Sequence, residues 1–196
     1  MPRKRAYDNA ARNAAAQQTR ERMMRAALEL ASELTYDEIT FPRVAERAGV
    51  SAKTVALHFK TKAGLVTAVS DWWRPHEEAL REVADGDPAE AARKVCARYE
   101  GGMGRATLHL LAIEERVPEV RPLMDTGRAS HRGWVERTFG KRLGSGAARE
   151  RRVMALVAAY DVYTWHVLRR TLSLEDTIQT MAELARGVLD LKGGRR

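Results

Sequence analysis

The apolar residues of this chain recur three and four positions apart along most of its length, and this is the spacing of an amphipathic α-helix. The first such stripe predicts a helix over about residues 19–34 and comprises Met23, Ala27, Leu30, Ala31 and Leu34. No convincing segment alternates apolar and polar residues as a half-buried strand does. The pattern therefore predicts an all-α fold of about nine helices.

Residues 40–62 contain two short helical patterns on either side of a tight turn. Thr40 is suited to cap the first helix, and Pro42 is tolerated in its opening turn, where backbone N–H groups have no partner within the helix. Gly49 can take the left-handed conformation that ends a helix, and Ser51 can cap the helix that follows. The sequence thus predicts two helices joined by a three-residue turn.

The second of these helices, about residues 52–59, has an apolar side and a polar side. Val55 and Phe59 lie four positions apart and would face the core. The polar side would present Lys53, Thr54 and His58. Two helices in this arrangement form a helix-turn-helix, whose second helix enters the major groove of DNA. We therefore predict a DNA-binding domain over residues 19–66.

The remaining residues, 67–196, are predicted to form a second helical domain. A long helix is expected to begin near Lys62 and to be kinked or locally ended at Pro75. Further helices are expected over about 88–100, 105–116, 118–139, 147–172 and 174–191. The last two carry an apolar face wider than one partner helix would cover. Either they form a homodimer interface or they only cover the core of the monomer.

The charge of the chain is basic and unevenly distributed. The formal net charge is +8, and residues 1–66 contain 12 Lys and Arg against 7 Asp and Glu. The excess is therefore concentrated in the part that contains the predicted helix-turn-helix, which favours a polyanionic partner such as double-stranded DNA. A generally basic, solvated surface is the alternative.

Other classes of protein are disfavoured. The single cysteine, Cys96, excludes an intramolecular disulfide and suits a reducing compartment, and no run of residues is apolar enough to span a membrane, so we expect a cytoplasmic protein without a membrane partner. The five histidines do not combine into a metal-ligand spacing. We predict no cofactor, no metal, no catalytic residue and no enzymatic activity.

Residues 26–66 resemble the DNA-binding domain of the TetR (tetracycline-repressor-like) family of transcriptional regulators. The matching positions are Ala26, Ala27, Leu30, Thr40, Val44, Ala45, Ala48, Gly49, Val50, Ser51, Thr54, Val55, Phe59, Lys62 and Leu65. A generic helix-turn-helix would share only the glycine turn and a few apolar positions, whereas the spacing from Phe59 to Lys62 at the start of a long fourth helix is typical of this family. The downstream helices resemble the family's ligand-binding and dimerisation domain in organisation.

The resemblance implies a set of DNA contacts. Thr40 and Lys62 would bind backbone phosphates at the N-termini of their helices, Lys53 and Thr54 would contact base edges, and Ala52 would meet a thymine methyl group. The complete implied set is Thr40, Arg43, Ser51, Ala52, Lys53, Thr54, His58, Lys60 and Lys62. For each residue, the alternative is a solvated side chain or a helix cap.

Three positions depart from the family pattern. Ala56 replaces an aromatic residue that often contacts the DNA backbone, and Lys53 replaces a common glycine. Thr35 occupies a position after the first helix where glycine is usual, so a left-handed conformation there would strain its β-branched side chain. These differences leave the fold intact but bear on affinity and on the sequence of the operator.

The N-terminal residues, 1–18, form a basic arm in one interpretation and a backward extension of the first helix in the other. Arg3, Lys4, Arg5 and Arg12 would suit a minor-groove arm, whereas residues 14–18, Ala-Ala-Ala-Gln-Gln, favour helix.

In the C-terminal domain, the family usually binds an inducing small molecule. The candidate pocket residues are Trp72, His76, His109, Trp134, Tyr160 and Tyr163, which would suit an apolar or aromatic effector with a few polar groups.

Together these observations predict a dimeric, sequence-specific transcriptional regulator that binds a palindromic operator and acts as a repressor released by a small molecule. Release would follow from a shift toward a dimer whose recognition helices no longer match successive major grooves, about 34–36 Å apart. The alternatives are a non-specific basic DNA binder and a helical small-molecule-binding protein without DNA binding.

Overall fold

A computed structural model of the chain describes residues 2–190, with the side chains of residues 12–190 apart from residue 85. Within that range the chain contains ten α-helices: α1 (Pro2–Glu33), α2 (Phe41–Ala48), α3 (Ala52–Phe59), α4 (Lys62–Leu80), α5 (Pro88–Arg98), α6 (Gly104–Leu111), α7 (Arg121–Phe139), α8 (Gly146–Ala159), α9 (Val162–Arg169) and α10 (Leu174–Asp190). No strand occurs among these residues. The predicted all-α class is confirmed.

Two compact units divide the chain, the first ending at Trp73 and the second beginning at Arg74. The division lies inside α4, later than the boundary predicted after residue 66. Pro75 lies within the same helix, which continues to Leu80, so of the two predicted effects, a kink or a local end, the helix does not end at Pro75. No helix of the described part of the chain is long and apolar enough to cross a membrane.

The first unit packs α1, α2, α3 and the start of α4 around one core. The buried residues of this core are Met23, Met24, Ala26, Ala27, Leu30, Ile39, Val44, Ala45, Ala48, Val55, Phe59, Leu65 and Val69. Three of the five residues in the predicted stripe of α1, Met23, Ala27 and Leu30, are fully buried, and the other two pack against the core from its edge. The apolar pattern therefore identified the inward face of α1.

The first helix is longer than the predicted 19–34. It begins at Pro2, so the alternative of a backward extension is what the structure contains. Residues 14–16 are alanines, which favour helix more than any other residue. The side chains of Arg3, Lys4 and Arg5, which we considered as a minor-groove arm, lie outside the described residues.

The link between α1 and α2 avoids the strain expected at Thr35. Among the described non-glycine residues, the only one with a positive φ is Lys60, so Thr35 is not left-handed. Instead, its backbone N–H and its hydroxyl both donate to a carboxylate oxygen of Glu38, at 2.9 and 2.8 Å. This side-chain interaction orders the turn in place of glycine, and the expectation of a strained residue is wrong.

The second unit packs α5, α7, α8 and α10 around a separate core. Its buried residues are Ala91, Ala92, Val95, Cys96, Tyr99, Trp134, Val135, Phe139, Leu143, Val153, Leu156, Tyr160, Val162, Met181, Ala182, Ala185 and Leu189. Tyr160, which directly follows α8, is completely buried, and its ring stacks on Phe139 at the end of α7 at a centroid distance of 5.7 Å. Its hydroxyl donates to the carbonyl of Pro88 at 3.1 Å.

The predicted helix 147–172 is broken in the structure. It is divided into α8 and α9 because Asp161 adopts an extended conformation and caps α9, accepting a hydrogen bond from the backbone N–H of Tyr163 at 2.9 Å. The hydroxyl of Thr164 also donates to the carbonyl of Ala158 at 2.6 Å. The sequence did not predict this break, because its apolar pattern is continuous there. The predicted helix 105–116 also ends early, at Leu111.

Candidate DNA-binding surface

The turn between α2 and α3 has the geometry that its sequence predicts. Gly49 is left-handed, with φ 66° and ψ 42°, and its N–H donates to the carbonyl of Glu46 at 3.2 Å. The N–H of Val50 donates to the carbonyl of Ala45 at 2.9 Å. These two bonds form a Schellman motif, which satisfies the last carbonyls of α2 and starts α3 at a fixed angle.

The first turn of α3 is held by Ser51. Its hydroxyl accepts a hydrogen bond from the N–H of Thr54 at 3.1 Å and lies 2.8 Å from the Thr54 hydroxyl, so the predicted cap is confirmed. Thr40 occupies the N-cap position of α2 but makes no side-chain cap bond, so the predicted capping by its side chain is wrong. The exposed Thr40 hydroxyl nevertheless lies beside the unpaired amides at the start of a helix.

Every predicted DNA contact lies in the first unit. The exposed members are Thr40, Arg43, Ser51, Lys53 and Lys60, and the half-buried ones are Ala52, Thr54, His58 and Lys62. Their roles toward DNA stay predictions. Neither α3 nor the first turn of α4 contains an acidic residue, so the local charge favours a phosphate backbone.

The outward side of α3 differs from the predicted one. Val55 and Phe59 face the core, and the side of the helix opposite to them presents Lys53 and Leu57. We call these two residues the outer face of α3. Leu57 is 72% exposed. It is absent from the predicted contacts because an exposed leucine has no polar signal in the sequence.

Arg20, on α1, is a second residue that sequence reasoning missed. Its guanidinium donates to the carbonyl of His58 at 3.2 Å and lies 4.5 Å from the centroid of the Phe59 ring. The His58 carbonyl is one of the last in α3 and has no partner within the helix. Arg20 therefore fixes the C-terminal end of α3 against α1, and only the folded chain brings these distant residues together.

Lys62 has a structural contact as well as its predicted role. Its ammonium group donates to the carbonyl of Tyr36 at 2.9 Å and lies 4.2 Å from the centroid of the Tyr36 ring. An ammonium has three N–H donors, so this bond leaves capacity for a phosphate. Lys62 thereby links the start of α4 to the turn after α1.

The connection between α3 and α4 is a strained tight turn at Lys60. This residue has φ 59° and ψ −50°, and the N–H of Thr61 donates across it to the carbonyl of Phe59 at 2.6 Å. This is a γ-turn with positive φ, which is rare for a side chain other than glycine. A Cβ on Gly64 would lie 2.5 Å from the same Phe59 oxygen, so glycine permits this close approach of α4.

A second tie joins α1 to α2. The guanidinium of Arg47 makes two parallel hydrogen bonds to the carboxylate of Glu33, at 3.1 and 2.8 Å. The same hydrogen bonding lowers the pKa of Glu33, and the geometry is the bidentate one that arginine favours. The Arg47–Glu33 ion pair and the contacts of Arg20 and Lys62 are thus three side-chain interactions that connect the helix-turn-helix to neighbouring elements.

The sequence of the first unit matches a family model. Residues 23–69 match the model described as bacterial regulatory proteins, tetR family. The first unit therefore contains a DNA-binding domain of the tetR type. The matched range contains α2, α3, the start of α4 and the buried residues of α1, and domains of this family bind DNA in bacterial regulatory proteins.

Several solved structures, among them regulators of transcription, resemble this chain in fold. A transcriptional regulator from Rhodococcus sp. Rha1 has 20% identity and a TM-score of 0.68, with 87% of this chain and 95% of that chain covered. SmeT in complex with triclosan has 17% identity and a TM-score of 0.64, covering 88% and 90%. NalD, the secondary repressor of the MexAB-OprM multidrug efflux pump in Pseudomonas aeruginosa, has 20% identity and a TM-score of 0.54, covering 88% and 97%. No curated protein sequence matches the chain.

The candidate pocket residues are distributed over different surroundings. Trp134 and Tyr160 pack edge to face in the second core, with ring centroids 5.4 Å apart, and the indole N–H of Trp134 donates to the carbonyl of Arg81 at 2.8 Å. Tyr163 and His76 are exposed. Trp72 belongs to the first unit, where it packs against the core.

The interior of the second unit contains several polar groups, of which only His109 is among the predicted pocket residues. Arg81 is 5% exposed, and its Nε has no hydrogen-bond partner, although its guanidinium lies 3.8 Å from a Glu77 oxygen. Burial lowers the pKa of His131 to about 4, and its Nε2 lies 3.2 Å from the carbonyl of Val157. Nδ1 of His109 is also buried without a partner. Buried polar groups of this kind are unusual in a helical core.

Proposed function

We propose that the protein is a homodimeric, sequence-specific repressor that binds a palindromic operator through α3. The observation that carries this proposal is the outer face of α3, which is exposed, basic and held in place by contacts from α1. A recognition helix must be rigid relative to its neighbours to keep register in the groove. The side-chain contacts of Arg20, Arg47 and Lys62 supply that rigidity.

Homodimerisation through the last helices is supported by their exposed apolar residues. Met154 on α8, Tyr163 and Val167 on α9, and Leu184 on α10 are all about half exposed or more. The second core already buries the opposite sides of these helices, so these residues are not needed to complete the monomer. Removing such surface from water is the usual driving force of a permanent dimer.

The proposed effector is a small apolar or aromatic molecule with a few polar groups, bound in the second unit. The relatives support this class, because one solved neighbour is a complex with triclosan and another is a repressor of a multidrug efflux pump. Arg81, His109 and His131 provide polar groups within an otherwise apolar interior. Such a combination is typical of ligand sites in proteins.

Release of DNA would follow from differential binding. An effector that binds more tightly to a dimer whose recognition helices are badly spaced shifts the population toward that state. The affinity for DNA then falls without any change in α3 itself. A factor of about 10⁴ in differential affinity moves a two-state equilibrium from 1:99 to 99:1.

Operator selection with the purified full-length chain tests the proposal. We expect recovery of a palindromic sequence bound by two chains, as measured by selection from random duplexes followed by light scattering of the complex. Lys53→Ala should weaken binding to that sequence, whereas Lys141→Ala, an exposed cation in the second unit, should not. If no sequence is enriched and binding decreases with salt equally for all duplexes, the protein is a non-specific DNA binder and the proposal is wrong.

A further inference from the structure

The most exposed large apolar side chain of the described residues lies on the recognition helix. Leu57 is 72% exposed, ahead of Val167 at 63% and Leu80 at 57%. An isolated exposed leucine has no special meaning on an ordinary surface. On a helix that enters a DNA groove, however, its side chain is placed against base edges or the backbone.

The position of Leu57 on α3 is the one farthest from the protein core. It lies two residues from Val55 and two residues from Phe59, a rotation of about 200° in either direction. Lys53 precedes it by four residues and therefore lies on the same stripe of the helix. These two side chains would penetrate deepest into the groove.

Ala52, for which the resemblance implied a contact with a thymine methyl group, has a different environment from Leu57. Ala52 is half-buried and packs against the core of the first unit, so its methyl group is already in contact with protein. Leu57 has no such cover. α3 contains no acidic residue, and Lys53 is exposed beside Leu57. The charge of this stripe therefore favours DNA over an apolar surface of another protein.

The major groove offers one apolar group to such a side chain, the C5 methyl of thymine. The other groups that distinguish the base pairs there are hydrogen-bond donors and acceptors, and burying one against leucine would leave it unsatisfied. Lys53, by contrast, can donate to the acceptors of guanine. The stripe is therefore chemically suited to one guanine and one thymine.

We infer that Leu57 is a specificity-determining residue that contacts the methyl group of a thymine in each half-site of the operator. Residues four apart on a helix are about 6 Å apart along its axis, and stacked base pairs are about 3.4 Å apart. The thymine therefore lies about two base pairs from the base that Lys53 contacts. This inference rests on the proposed function, because it requires a sequence-specific complex.

Replacement of thymidine by deoxyuridine tests the inference, since it removes only the methyl group. Each thymidine of the selected operator is replaced in turn, in both half-sites, and the dissociation constant is measured for the wild type, Leu57→Ala and Leu80→Ala. We expect one position at which the wild type and Leu80→Ala lose about fourfold per half-site, the factor that corresponds to one buried methyl group. Leu57→Ala should lose nothing at that position.

The control shows whether the loss belongs to Leu57. Leu80 is an exposed leucine of the second unit, so its truncation removes the same atoms away from α3, and circular dichroism should show both variants folded. The inference is overturned if Leu57→Ala responds to each deoxyuridine as the wild type does, or if no methyl group affects the wild type. If the wild type selects no operator, the proposed function fails and this inference fails with it.

Discussion

At the scale of single residues, Arg20 connects the recognition helix to the first helix by two contacts of different kinds. Its guanidinium binds the carbonyl of His58 and lies over the Phe59 ring. A hydrogen bond to an otherwise unsatisfied carbonyl and a cation–π contact each contribute free energy of folding. Neither contact is to DNA, so Arg20 is a positioning residue.

Arg20→Ala should lower the free energy of unfolding by about 1–2 kcal/mol and also weaken operator binding, because α3 loses its anchor. Urea unfolding followed by circular dichroism measures the first effect, and fluorescence anisotropy with labelled operator measures the second. Arg22→Ala, an exposed arginine on the same helix, should change stability by less than about 0.5 kcal/mol. Equal effects of the two substitutions would contradict the positioning role.

Lys60→Gly should raise the free energy of unfolding by about 0.5–1 kcal/mol, because it relieves a positive φ at some cost in chain entropy. It should also weaken operator binding, since a predicted phosphate contact is lost. Stability and affinity would then change in opposite directions. Lys53→Gly is the matched control, because it places glycine inside α3 and should lower stability by about 1 kcal/mol; a loss of stability in both variants would rule out strain at Lys60.

At the scale of elements, local signals predicted α2 and α3 and failed at α8 and α9. Gly49 and Ser51 determine a turn through their own backbone and hydroxyl chemistry, so neighbouring residues suffice to predict it. The break after Tyr160 is held by side-chain bonds of Asp161 and Thr164, two residues that stand within a continuous apolar pattern. The surrounding apolar pattern continues through the break and gave no signal of it.

Asp161→Ala should lower the free energy of unfolding by about 1 kcal/mol, because the first N–H groups of α9 lose their cap. Asp161→Asn should retain most of the stability, since asparagine caps about as well as aspartate. Thermal unfolding of both variants measures the difference. If Asp161→Ala melted at the same temperature as the wild type, the cap would not be what holds the break between α8 and α9.

The candidate DNA contacts show the same limit. The polar residues on α3 could be proposed as DNA contacts from sequence, because the resemblance implies base-edge contacts for residues that follow Ser51. Leu57 and Arg20 could not, because one contact depends on exposure and the other on a residue that is distant in the sequence. The candidate pocket residues are the least predictable from sequence, since core and ligand-lining aromatic residues have the same helical spacing.

At the scale of the whole molecule, the interior histidine of the second unit makes stability depend on pH. Burial lowers the pKa of His131 to about 4, below an unfolded value of about 6.5. The unfolded chain therefore binds more protons than the folded chain between these values, and stability falls as the pH decreases from about 6.5 toward 4. The slope from this residue approaches about 1.4 kcal/mol per pH unit.

His131→Gln should remove that contribution. Urea unfolding at pH values from 4.5 to 7.5 should show a smaller loss of stability on acidification than in the wild type. His166→Gln, which replaces an exposed histidine of α9, should keep the wild-type slope. Identical slopes in all three proteins would contradict the burial of a neutral His131.

The central claim also concerns the whole molecule: two of these chains together recognise a DNA sequence through α3. The most direct measurement is the dissociation constant of the wild type for the selected operator and for a scrambled duplex of equal length, at several salt concentrations. We predict a ratio of at least about 10³ between the two duplexes near physiological salt, a stoichiometry of two chains per operator, and a reduced ratio for Lys53→Ala. Equal affinities for both duplexes at every salt concentration would contradict the account.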